Sequence, residues 1–176
     1  MTKRTNKLVK NILGVSDWSL DNLLYIKLKE INDMESRLVK AIPQMAKKAH
    51  DSKLKKLFED HLEETKQQVE RIEKSFESLG KKSGKIQGAT IRGLELDAKL
   101  KMTAINNRDA LDASLIAAGE NVEHYEMSCY ITAIEWSELI GADDIAELLM
   151  ASLKEEADME LKLLNLSKSI YTKVKV

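Results

Sequence analysis

The sequence predicts an all-α protein, an antiparallel four-helix bundle made of two helical hairpins. Three observations lead there. The 176 residues include one proline, seven glycines and few aromatics, with abundant Lys, Glu, Leu and Ala, which is the composition of long helices rather than sheets. Apolar residues recur at spacings of three and four along four long stretches. Glycines or good capping residues stand at the ends of those stretches. The length suits a single domain over 1–176 with a sizeable core, the bundle occupying about 19–171 and a crossover about 80–108.

The first helix is expected from about Ser19 to His50 on Leu24, Leu28, Ile31, Leu38, Ile42 and Met45, with Ser19 as N-cap. Pro43 lies inside this pattern and should kink the last turns or end them early. The second begins near Asp51 or Ser52 and carries Leu54, Leu57, Phe58, Ile72, Phe76 and Leu79 until Gly80 stops it. Gly80 to Gly88 is basic, Gly-rich and aperiodic, and reads as a solvated loop. A helical piece follows at about Ala89 to Thr103, with Ile91, Leu94, Leu96, Leu100 and Met102. Nearly thirty residues thus separate the second and third long helices. That is excessive for antiparallel neighbours, and predicts a crossover returning the chain to the opposite end of the bundle, the topology of ferritin-like bundles. The third long helix runs from about Asp109 to Ile140 on Leu111, Leu115, Ala118, Val122, Cys129, Ala133 and Trp136, ending at Gly141. The fourth runs from about Asp143 to Tyr171 on Ile145, Leu149, Ser152, Leu163 and Ile170, with lysines in its last turn.

Charge and cysteine content exclude several functions. The net charge is −1 with both signs mixed along the helices, so the footprint of a nucleic-acid binder is missing. No apolar run approaches the roughly 20 residues that cross a bilayer, and the basic start leads into no signal-peptide core. Lone Cys129 forms no internal disulfide. A soluble cytoplasmic protein is expected, with neither membrane nor nucleic acid as partner.

Each long helix carries a glutamate where its stripe should be apolar: Glu35, Glu64, Glu126 and Glu156. Taking the turns near residues 50 and 141, Glu35 and Glu64 lie 15 and 14 residues away, and Glu126 and Glu156 each lie 15 away. At about 1.5 Å per residue all four reach one level, roughly 22 Å from their turns. Glu35 to Glu126 spans 91 residues and Glu64 to Glu156 spans 92, a repeat that suits a pseudo-twofold site. Burying unpaired carboxylates costs several kcal/mol each, so positive charge is required. Four carboxylates balance two divalent cations. His61 precedes Glu64 by three residues and Glu123 precedes Glu126 by three, so both are candidate ligands. Gln68 and Glu160, four residues after Glu64 and Glu156, are candidate outer partners that orient ligands. Outside this set, His124 and His50 read as surface residues, and Cys129 and the methionines as core filler. Tyr25, Tyr125 and Trp136 read as packing that lies within reach of the centre.

The segments HLEETKQQVERIE (61–73), KAIPQMAKKA (40–49), VEHYE (122–126) and KEEA (154–157) resemble the YciF/YciE family of bacterial stress-associated, ferritin-like proteins, over about residues 18–168. The resemblance implies a ferritin-like bundle with an additional short helix, a homodimer and a di-metal centre. The chain departs from the wider di-iron pattern, because it contains no Glu-x-x-His. Its nearest match is reversed, as His61-Leu62-Glu63-Glu64, and Met159 stands where the fourth helix would place a histidine. Carboxylate-rich coordination with one imidazole suits iron or manganese.

Two readings follow. In one, Glu35, Glu64, Glu126 and Glu156, with His61 and Glu123 as terminal ligands, hold two ions that handle oxygen, peroxide or iron under stress, an oxidoreductase chemistry. In the other, the protein is a non-enzymatic dimeric interaction or structural module whose internal glutamates are protonated or paired with water and lysine tips.

Overall fold

Apolar stripes this long can be buried only against one another, and the described residues do so with helices alone. The computed structural model describes residues 9–174. Five long or medium helices follow in order: α1 (Leu20–Lys48), α2 (Ser52–Ser78), α3 (Ala89–Ala104), α4 (Arg108–Leu139) and α5 (Asp143–Tyr171). A helical segment over 9–13, which the sequence reading did not anticipate, precedes them. No described helix is long and apolar enough to cross a membrane.

Local chemistry sets the ends. Asp51 accepts from the Lys53 and Leu54 amides at the start of α2, and Asn107 accepts from the Ala110 amide at the start of α4. Gly80 and Gly141 take φ of +64° and +74°, the left-handed conformation that closes a helix cheaply only without a Cβ. Two expectations are corrected here. Ser19 occupies the N-cap position without a capping bond; instead Asp17 accepts from the Ser19 amide and the Asn22 side chain. Pro43 does not end α1 early, because Ile42, Met45 and Ala46 bury the turn that contains it and tertiary packing outweighs the lost amide.

Helix α1 packs on α2 and α4, while α5 packs on α4 and α2, so the four long helices enclose one core. At one end, the His50 and Asp51 amides donate to Asp112 of α4, and Lys173 reaches Asp51. The crossover therefore delivers the chain back to the α1–α2 turn. Its first part is anchored rather than merely solvated: Tyr25 donates to the Lys82 carbonyl, Asn32 to Gly84, and the Ile86 amide to Lys29. Helix α3 then lies against α1 and α4 through Ile91, Ala98 and Met102. Leu96 and Leu100 of α3 face outward and are exposed.

Candidate metal centre

Midway along the bundle the apolar core gives way to a layer of carboxylates. The buried positions of α2 run Leu54, Phe58, His61, Thr65, Gln68 and Ile72, so His61 points inward where the pattern calls for a hydrophobe. Helix α1 contributes Glu35, α4 contributes Glu123 and Glu126, and α5 contributes Glu156. Glu35, Glu126 and Glu156 are wholly buried, and Glu123 and His61 are 2% and 3% exposed. One donor atom from each of His61, Glu123, Glu126 and Glu156 lies within 4.8 Å of the others, a spacing that can hold an ion.

Glu35 belongs to the same layer and is fixed from one side. The Tyr130 hydroxyl donates to its Oε1 at 2.6 Å, which leaves Oε2 without a partner. Sequence reasoning passed over Tyr130, because a tyrosine four residues after Glu126 on an apolar stripe reads as core packing. The aromatic side chain at the site is therefore Tyr130. Tyr25 packs on Phe76 near the crossover, and Tyr125 and Trp136 are half-buried packing residues.

Glu64 sits differently from the other three glutamates that the level count grouped with it. One residue takes a helix through about 100°, and Glu64 stands that far round from the buried Thr65. It occupies the edge of the bundle, 30% exposed, with Oε2 3.3 Å from His61 Nδ1 and Oε1 3.7 Å from Lys162 Nζ. The hydrogen bond from His61 and the Lys162 charge hold its carboxyl below the usual range. Glu64 thus orients His61, whose Nε2 faces Glu123 at 3.6 Å and Glu156 at 3.8 Å. Glu123 takes the fourth place in the buried layer, which breaks the expected twofold repeat.

Gln68 and Glu160, predicted as equivalents, also part company. Gln68 is buried, and its side-chain amide donates to Glu156 and to Glu155. Arg71 grips Glu155 with two 2.6 Å bonds and donates to Ser152, so α2 and α5 are clamped one turn beyond the layer. Glu160 is partly exposed, with one oxygen 3.2 Å from exposed His124 and the other buried without a donor. His50 is exposed as well, and Cys129 is a buried free thiol.

The electrostatics follow from this geometry. Burial, then neighbouring negative charge, pushes the Glu35, Glu123 and Glu126 carboxyls well above the ordinary range; burial also raises Glu156, opposed by His61. Tyr130 is likewise held protonated, by burial and by Glu35. Among the described residues, five carboxylate oxygens in the layer meet no hydrogen-bond donor: Glu35 Oε2, Glu123 Oε2, both of Glu126 and Glu156 Oε2. Buried acceptors are normally satisfied, and a divalent cation is the partner that oxygen donors with one imidazole accommodate. The donor set therefore fits a metal.

Comparison with known proteins agrees with the motifs. Residues 19–174 match the family described as Domain of unknown function (DUF892). Protein YciF of Escherichia coli strain K12 is 31% identical over 150 residues, which cover 85% of this chain and 90% of YciF. The crystal structure of the E. coli stress protein YciF superposes with a TM-score of 0.86 at 30% identity, covering 90% of this chain and all of that one. YcfI of Rhodopseudomonas palustris gives a TM-score of 0.81 at 36% identity over 83% of this chain and 93% of that one. A Xanthomonas campestris protein shares the fold at 20% identity, with a TM-score of 0.73 over 88% of this chain and 95% of its own.

Proposed function

The chain belongs to the DUF892 family, that of the stress protein YciF, and from that premise we propose that its buried carboxylate layer is a metal centre within a single ferritin-like four-helix domain. Glu35, Glu123, Glu126, Glu156 and His61 would hold two divalent ions, iron or manganese. The observation that carries the reading is the set of five buried carboxylate oxygens without a donor. Four ionised carboxylates in one buried layer would match the charge of two divalent cations, and among the described residues no lysine or arginine is bonded to these oxygens.

When bound, such ions supply electron transfer to dioxygen or peroxide. The chain's own residues do the rest. Tyr130 keeps Glu35 turned with Oε2 toward the layer, and Gln68 holds Glu156, itself clamped through Glu155 and Arg71. Glu64 fixes which ring nitrogen of His61 faces inward, leaving Nε2 for the centre. Lys162 compensates Glu64 at the edge, the point where the layer comes nearest to solvent. A stress-related role in handling oxygen, peroxide or iron follows from this chemistry together with the family, and the homodimer implied by the resemblance belongs to the same reading.

One observation favours the non-enzymatic alternative. Burial and neighbouring negative charge raise the Glu35 and Glu123 carboxyls, so protonation offers the layer a metal-free state. Anaerobic titration with ferrous or manganous ion separates the two. The metal-centre reading expects about two ions per chain, as in paired sites of helical bundles, and loss of binding in Glu35→Ala and Glu126→Ala. If both variants bind as much metal as the parent, the layer is structural.

A further inference from the structure

Two small cavities lie between the surface under α3 and the carboxylate layer. The outer one, about 20 Å³, is enclosed by α1, α3 and α4 and lined by Ile91, Leu94, Ala98 and Met102 of α3 among others. The inner one is also about 20 Å³ and ends on His61 and Glu123. By this measure a single water needs roughly 10–15 Å³ and two to four polar partners, and apolar cavities stay dry while accepting apolar gases. The same three side chains, Leu38 and Met45 of α1 and Val122 of α4, line both cavities. They form a thin apolar partition, and methionine is the side chain that moves aside at least cost.

Two further features keep this path open. Gly119 lies on the wall of the inner cavity, inside α4, where glycine costs about 1 kcal/mol relative to alanine. A Cβ there would stand 3.0 Å from Leu163 and 3.7 Å from Phe58. At the other end the polar side chains around the outer cavity form an ion pair across the α1–α3 seam, Arg37 to Glu95 at 3.2 Å, both partly exposed. Arg37 is also held by Asp33 at 2.8 Å and Glu95 by Lys99, and partly exposed pairs of this kind contribute little to stability.

We propose that these cavities are two stations of one route by which a small apolar molecule of dioxygen's size passes beneath α3, through the Leu38/Met45/Val122 partition, to the His61 and Glu123 side of the layer. The route rests on the metal-centre reading for its destination, but its existence is testable without metal. Xenon under pressure, followed by methyl NMR of the metal-free full chain, should shift Ile91, Leu38, Met45 and Val122 together. Ala98→Leu, which fills the outer cavity from outside the carboxylate layer, should remove those shifts. In the ferrous-loaded protein, nitric oxide serves as a probe of similar size and polarity. Its association rate should fall about tenfold in Ala98→Leu and in Val122→Phe, with the metal stoichiometry unchanged. Absence of xenon shifts in the parent, or equal nitric oxide rates in parent and both variants, overturns the route while leaving the metal centre standing. Xenon shifts in a chain that takes up no ferrous ion reduce the cavities to packing defects, which overturns the route together with its destination.

Discussion

Two acidic clusters lie along the same bundle, and they are satisfied in opposite ways. At the α1–α2 turn, Asp112 is buried and accepts from the His50 and Asp51 amides at 2.8 and 2.7 Å. Asp51 accepts from two amides of its own helix and from Lys173, whose hydrogen bond holds it below the usual carboxyl range. In the middle layer, Glu126 is just as buried and accepts from nothing. Carboxylates that serve the fold arrive with donors attached. In the layer, both oxygens of Glu126 and one each of Glu35, Glu123 and Glu156 lack them, although arginine and glutamine donors are in use one turn away around Glu155. The difference separates carboxylates whose burial is satisfied by donors from carboxylates buried without them.

Substitution at each cluster should therefore move stability in opposite directions. The largest effect is expected for Asp112→Ala, which removes the acceptor of two amides in the α1–α2 turn and the tie it makes between that turn and α4. A loss of about 2–4 kcal/mol is expected by denaturant unfolding, with metal uptake unchanged where the protein remains folded. Glu126→Gln should instead stabilise the metal-free protein, by about 1–3 kcal/mol, while abolishing metal uptake. A pH scan sharpens the contrast. Glu126 has its folded-state pKa raised above the ordinary value of 4.5, so the native state binds more protons than the unfolded chain above that pH. The stability it contributes is complete below about pH 4.5 and is lost as pH rises through the raised folded value. The metal-free parent should thus lose stability from pH 5 upward more steeply than Glu126→Gln. Equal slopes would mean that Glu126 is not buried among like charges.

The fold was legible because its signals are local. Asp51, Gly80 and Gly141 act within a few residues of themselves, and the boundaries between α1 and α2, after α2 and between α4 and α5 fall close to them. The buried carboxylate layer was legible in its height along the bundle and no further. Counting residues from the turns gives height along a helix but not the angle around it. Glu35, Glu126 and Glu156 satisfy both, whereas Glu64 has the height and misses the angle. The true stripe of α2 runs through His61, Thr65 and Gln68, a polar run that resembles a solvated face in one dimension. Tyr130 and Arg71 stayed hidden for a related reason: their partners, Glu35 and Glu155, lie 95 and 84 residues away, and no spacing rule connects them.

The smallest predicted effect probes the boundary between the two kinds of carboxylate, since Glu35 has one oxygen of each. Its Oε1 is donor-satisfied like Asp112, and its Oε2 is bare like Glu126. Tyr130→Phe removes that single donor without changing ring volume. The metal-free protein should lose about 1 kcal/mol, the net worth of one hydrogen bond. Metal affinity should fall by about tenfold with stoichiometry retained, as for loss of an orienting partner behind a ligand. Calorimetric titration against the parent reads both quantities. An unchanged affinity would place Glu35 with Glu64, as a carboxylate that supports the layer from outside, and would leave Glu123, Glu126, Glu156 and His61 as the binding set.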